Sequence, residues 1–85
     1  PSAENELFWN EMQKAIAAII ETMPEKRRAI FNMSRFEHKS AKEIAEIMHI
    51  SARTVEKHIE LALRELRTKL TPFLFWILVY GHITL

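Results

Sequence analysis

Ser40-Ala41-Lys42-Glu43-Ile44-Ala45-Glu46-Ile47-Met48-His49-Ile50-Ser51 is the stretch that decides the fold, with Ala52-Arg53-Thr54-Val55-Glu56-Lys57-His58-Ile59 directly behind it. Ser40 three residues before Glu43 reads as a capping box. The hydroxyl takes an orphan amide of the first turn, and the carboxylate reaches back to the cap. The spacing predicts a short helix over 41–48 with Ile44, Ala45, Ile47 and Met48 apolar. His49-Ile50 makes a tight turn, and Ser51 caps a longer helix over about 52–69. Its apolar face is Val55, Ile59, Ala62, Leu63, Leu66 and Leu70. Two helices joined by so short a turn, the second longer and basic on its outer side, describe a helix-turn-helix.

Working outward, Phe8, Met12, Ala15, Ile16, Ile19 and Met23 recur at three- and four-residue spacing and predict a first helix over about 5–23. Pro24 breaks it and suits the first turn of a second helix over about 24–36, with Ala29, Ile30, Met33 and Phe36 facing inward. Behind the long helix, Thr71-Pro72 reads as a stop, because a residue before proline is pushed out of helical dihedrals. An apolar tail over 73–85 remains. Its run Phe73–Tyr80 fits a buried strand or a helix, with a break at Gly81. The expected architecture is therefore all-α, a four-helix domain over 4–70 ending in the helix-turn-helix, plus a short apolar tail over 71–85.

Composition agrees with this reading. The chain has 85 residues, one glycine, three prolines and no cysteine. So little turn chemistry disfavours a multi-stranded β protein. The lack of cysteine excludes disulfides and thiolate metal sites and permits a reducing cytosol. An apolar share of 48% argues against disorder. The eight apolar residues 73–80 fall far short of the ~20 that span a bilayer. No secretory signal is visible at the acidic N-terminus.

The net charge of +1 hides an asymmetry. Residues 1–23 carry four glutamates against one lysine, a balance of −3; residues 24–69 carry eleven basic and seven acidic residues, a balance of +4; residues 70–85 carry none. A basic middle segment is a hint of a polyanion partner. Helical geometry sharpens the hint. With Val55 facing the core, Arg53, Lys57 and Arg64 fall at about 160–200°, directly opposite. A helix of this kind fits the major groove, where its N-terminal residues reach base edges. Arg53, Lys57 and Leu61 are placed to read bases, Glu56 to accept from cytosine N4, and Ser51 with the free amides of residues 51–53 to hold a phosphate.

The words of the sequence also carry a resemblance. Met23-Pro24-Glu25-Lys26-Arg27-Arg28-Ala29-Ile30-Phe31, followed by Ser34-Arg35-Phe36, resembles the LPEKxRxIFxxSR run of bacterial sigma factors. Residues 40–51 resemble their SxKEIAExLxIS, and Thr54–Ile59 with Ala62–Arg67 resembles TVExHIxxALxxLR. Over residues 5–70 the chain is similar to region 4 of an extracytoplasmic-function sigma factor of the sigma-70 family. The resemblance implies sequence-specific binding to the minus-35 element of double-stranded promoter DNA in transcription initiation. It further implies docking on RNA polymerase core at the β flap tip, a bacterial cytoplasmic location, and an anti-sigma factor as a further partner. It also implies a longer parent protein carrying the region 2 domain. Positions matching the family's readers are Glu56, Lys57, Glu60 and Leu61, and the DNA-binding set is then Arg53, Thr54, Glu56, Lys57, Glu60 and Leu61. Lys39, Ser40, Lys42 and Ser51 are the expected phosphate contacts.

This chain departs from the family at Leu61, where relatives often carry a basic residue, and at His38 and His49, where they usually carry glycine. Such positions often need a positive φ, and histidine is one of the more tolerant non-glycine residues there, so both are expected to stop helices rather than bind metal. Two other readings carry weight. Response-regulator output domains share the KEIAxxLxISxxTVExH pattern, although the Pro-Glu-Lys-Arg-Arg run, Ser34-Arg35 and the segment 62–67 favour the sigma reading. A protein-interaction module without its own DNA role would draw on the acidic first helix and the tail, which could also pair with a second copy. No catalytic constellation, metal site or cofactor motif is present in the sequence.

Overall fold

The computed structural model describes residues 3–83, with side-chain burial for residues 5–76 and 79. Four helices and no strand occur among the described residues: α1 Ala3–Glu21, α2 Glu25–Arg35, α3 Ala41–Met48 and α4 Ala52–Ile83. The all-α expectation holds.

Local chemistry sets most of the boundaries. The last turn of α1 tightens, with the amides of Thr22 and Met23 bonding the carbonyls of Ile19 and Ile20 at 3.0 and 3.1 Å. Pro24 sits one residue outside α2 rather than in its first turn. Its extended ψ of 143° makes it the cap, and its carbonyl accepts the Arg28 amide at 2.9 Å. Ser40 and Glu43 form the full capping box, at 3.1 Å for Glu43 N–H to Ser40 Oγ and 2.9 Å for Ser40 N–H to the Glu43 carboxylate. His38 and His49 have φ of 55° and 58°, the left-handed conformation expected for helix-stop residues. At His49 the next amide, that of Ile50, folds back to the Ala45 carbonyl at 3.1 Å, and this closes the turn between α3 and α4.

Two apolar clusters hold these helices together. One joins Ile30 and Met33 of α2, Ile44 of α3 and Val55 of α4; Ile30, Ile44 and Val55 are fully buried. Each such side chain stabilises the fold by about 1.5–3 kcal/mol relative to exposure. The other joins Ile20 and Met23 at the end of α1, Phe31 of α2, and Ala62 and Leu66 of α4. Helix α2 is thus buried on two sides, and the single-stripe reading of 24–36 missed Phe31. Three expected inward residues point outward: Phe36 is 61% exposed, Ile47 51% and Leu63 39%. Phe36 lies beyond the last residue of α2. Ile47 stands about 110° from the middle of the buried face of α3, and Leu63 sits at the edge of that of α4.

The largest departure from expectation is at Pro72. The helix does not stop there, nor at Gly81; α4 continues to Ile83, with Pro72 inside it. Thr84 and Leu85 lie outside the described residues. A proline ring has a φ compatible with helix, so its penalty of ~3 kcal/mol comes from one lost hydrogen bond and a clash with the carbonyl four residues back. That carbonyl belongs to Thr68, which is exposed, so water can satisfy it. One turn earlier, the Thr71 hydroxyl donates to the Arg67 carbonyl at 2.7 Å. An established helix also extends at little cost per residue, whereas a new strand would lack a partner. The result is a rod of 32 residues, and the molecule measures 51 × 23 × 16 Å. No helix among the described residues is long and apolar enough to cross a membrane.

Candidate nucleic-acid interface

Helix α4 begins with an exposed turn that leaves amides available. The Ser51 hydroxyl accepts the Thr54 amide at 3.0 Å and shares a hydrogen bond with the Thr54 hydroxyl at 2.8 Å. The Val55 amide bonds the Ser51 carbonyl. The amides of Ala52 and Arg53 have no acceptor inside the helix and face the solvent end, where the helix dipole favours an anion. The Ser40 hydroxyl accepts the Glu43 amide at 3.1 Å, and its own proton stays available to donate.

Beyond that turn, Arg53, Thr54, Glu56, Lys57, Glu60 and Arg64 are all exposed, while Val55 and Ala62 on the opposite side are fully buried. The apolar end of α4 runs away in line with the rod and does not fold over this face. The stripe is less free than the helical angles suggested. Glu60 lies 3.7 Å from Lys57 and 3.3 Å from Arg64, so two of its three cations share one carboxylate. All three side chains are more than half exposed, and such surface pairs contribute ~0–1 kcal/mol, little enough for a phosphate to displace Glu60. Arg53 makes no ion pair among the described residues. Leu61 is half-buried, the least accessible of the expected readers. On the first helix of the motif, Lys42 is exposed and Lys39 lies 3.5 Å from Glu37.

Electrostatics fix the frame around this face. Glu43 is held below the usual carboxylate range, first by the Ser40 backbone amide and then by the Ser40 hydroxyl, so the capping carboxylate stays ionised. On the inner side of α4, Arg27 of α2 donates through Nη1 to Glu65 at 3.2 Å, with side-chain exposures of 22% and 18%. Lys69 donates to the other Glu65 oxygen at 3.0 Å and to the Thr22 hydroxyl at 3.2 Å. This network ties α1, α2 and α4 together. Sequence reasoning missed it because Arg27 and Glu65 stand 38 residues apart, and no local pattern links them. His58 of α4 is half-buried with its Nδ1 sealed and unpaired. Burial, then Arg27 and Lys26, push its pKa below the usual histidine value.

A helix-turn-helix with an outward basic face on its second helix is thus assembled on a two-part core. A family model described as "Sigma-70, region 4" matches residues 13–66, well over half of the chain. The chain belongs to the sigma-70 region 4 family. The family is one of DNA-binding domains that act in transcription initiation, and its match decides against the response-regulator reading. No curated protein matches the chain. In this region 4 domain the match stops at Leu66, so the apolar end of α4 lies beyond it.

Proposed function

We propose that this region 4 domain reads the minus-35 element of promoter DNA in the bacterial cytoplasm, as part of an extracytoplasmic-function sigma factor docked on the RNA polymerase core through the β flap. The observation that carries the reading is the exposed Arg53–Lys57–Arg64 side of α4, opposite a side buried in the core. In this reading the start of α4 enters the major groove. Arg53 and Lys57 donate to guanine, Glu56 and Glu60 accept from cytosine, and Thr54 and Leu61 offer a methyl-sized apolar contact to thymine. Lys39, Ser40, Lys42 and Ser51 hold the flanking phosphates and set the register. Glu60 then has two roles. In the free domain it holds Lys57 and Arg64 in place, and on DNA it releases Lys57 to guanine and Arg64 to a phosphate as it turns to cytosine. An anti-sigma protein is a further partner in this reading, contacting the helices rather than DNA.

Duplexes selected from a random pool, using the parent factor with polymerase core, give the site to be tested. Lys57→Ala is expected to weaken binding to that site by about 5- to 100-fold, or to relax its preference at one base pair, with helicity unchanged. Neutralising about three phosphates gives a log–log salt slope near −2.7, a loss of about 40-fold between 50 and 200 mM salt. Unchanged affinity and preference in Lys57→Ala, together with a slope shallower than about −1, would remove this face of α4 from DNA recognition.

A further inference from the structure

Three cations and one carboxylate share the outward sector of α4. With Val55 at the origin, Glu60 falls at about 140°, next to Arg53, Arg64 and Lys57 at about 160–200°. Glu60 thus stands inside the basic stripe. Its two oxygens are divided between neighbours, Oε1 at 3.3 Å from Arg64 and Oε2 at 3.7 Å from Lys57. The Glu60–Arg64 pair runs in the order that favours a helix, with the acid four residues before the base. The other carboxylates of the helix behave differently. Glu56 is exposed and has no ion pair among the described residues, and Glu65 turns inward to Arg27. Arg53 is left as the one cation of the stripe that shares no carboxylate among the described residues.

We propose that Glu60 is the discriminating residue of this face, a role that rests on α4 reading promoter DNA. It withholds Lys57 and Arg64 from phosphates of any sequence and gives them up only where a cytosine amino group takes their place. On a non-cognate duplex, moving both cations to DNA breaks both pairs and leaves the carboxylate facing phosphates without a donor. Contact there stays limited to Arg53 and the phosphate holders at the start of the motif. On the cognate duplex the N4 amino group of cytosine supplies the missing donor, so both cations are released without orphaning Glu60. Specificity is a difference between two affinities, and a group that weakens the wrong complex raises it as one that tightens the right complex does. Each exposed pair shifts an equilibrium by up to about fivefold, so the two together withhold roughly 3- to 20-fold of affinity for non-cognate DNA.

Fluorescence anisotropy on the whole chain tests this with two labelled duplexes of equal length, the selected site and a random sequence, from about 50 mM salt upward. Glu60→Gln keeps the shape and removes the charge at an exposed position, so helical circular dichroism should not change. Its affinity for the random duplex is expected to rise by roughly 3- to 20-fold. The log–log salt slope on that duplex should steepen by about 0.9–1.8, as one or two further cations meet phosphates. Affinity for the selected duplex is expected to stay or fall, because a neutral amide is the weaker acceptor for cytosine. In a Lys57→Gln/Arg64→Gln background there is nothing to withhold, and adding Glu60→Gln should change affinity for the random duplex by less than about twofold.

Unchanged affinity of Glu60→Gln for the random duplex overturns the proposal and leaves promoter reading intact, provided the parent still prefers the selected site. A gain that persists in full without Lys57 and Arg64 also overturns it, since the effect is then plain repulsion between carboxylate and phosphate. A parent chain with no preference for the selected site overturns the promoter reading itself, and the role of Glu60 falls with it.

Discussion

Glu65→Gln should be one of the more destabilising conservative changes in this domain. The substitution keeps the shape and removes the charge that Arg27 faces at 3.2 Å and Lys69 at 3.0 Å. Exposed pairs contribute ~0–1 kcal/mol, and breaking a fully buried pair by removing one partner costs about 3–5 kcal/mol. Arg27 and Glu65 are each about four-fifths buried, which places this pair between the two limits. The Arg27 Nε is also sealed without an acceptor, so the guanidinium depends on Glu65. A loss of about 2 kcal/mol follows, equivalent to a fall in Tm of about 8–16 °C for a domain of this size. The assay is a thermal melt by circular dichroism on Glu65→Gln, Arg27→Met and the pair together. Removing both leaves no buried charge unpaired, since Lys69, the other partner of Glu65, is half exposed and keeps its bond to Thr22, so the double variant should recover to within about 1 kcal/mol of the parent. Lys57→Ala is the control, and its loss of an exposed pair with Glu60 should stay within about 0.5 kcal/mol. A Tm shift below about 2 °C for Glu65→Gln, or equal losses with and without Arg27, would refute the claim that this pair locks α4 onto α2.

Two further outcomes bear on the frame of α4. His49→Gly removes a Cβ from a residue at φ 58° and should leave Tm unchanged or raise it by the equivalent of up to about 1 kcal/mol; a large loss in the same melts would contradict the account of the turn. Acid should destabilise the domain in two stages. His58 binds its proton less readily folded than unfolded, so the unfolded chain takes up more protons and stability falls as pH drops through 6.5 and below. Glu43, held ionised by its cap, contributes stability that is lost lower, as pH falls through the carboxylate range. Melting curves from pH 8 to pH 4 should show both steps, and His58→Gln should remove the upper one; an unaltered upper step would assign it to another group.

Much of the candidate site was legible because its determinants are short-range. The Ser40–Glu43 box, the Ser51 cap and the left-handed histidines act across three to five residues, so their spacing in the chain is their spacing in space. The outward position of Arg53 and Lys57 follows from helical period alone once Val55 is assigned to the core. Glu60 was in view as a reader, but its grip on both Lys57 and Arg64 emerged only from side-chain placement.

What the sequence determined by itself was the all-helical class, the two helices and turn of the motif, and which side of the second helix carries charge. Those features rest on local hydrogen bonds and on a periodicity of 3.6 residues, both properties of contiguous chain. The tertiary structure alone decided that α2 is buried on two sides through Phe31, that Arg27 meets Glu65, and that α4 runs on past Pro72. The first two join residues far apart in sequence. The third turns on a balance between one lost hydrogen bond at an exposed carbonyl and the continued growth of a helix already formed.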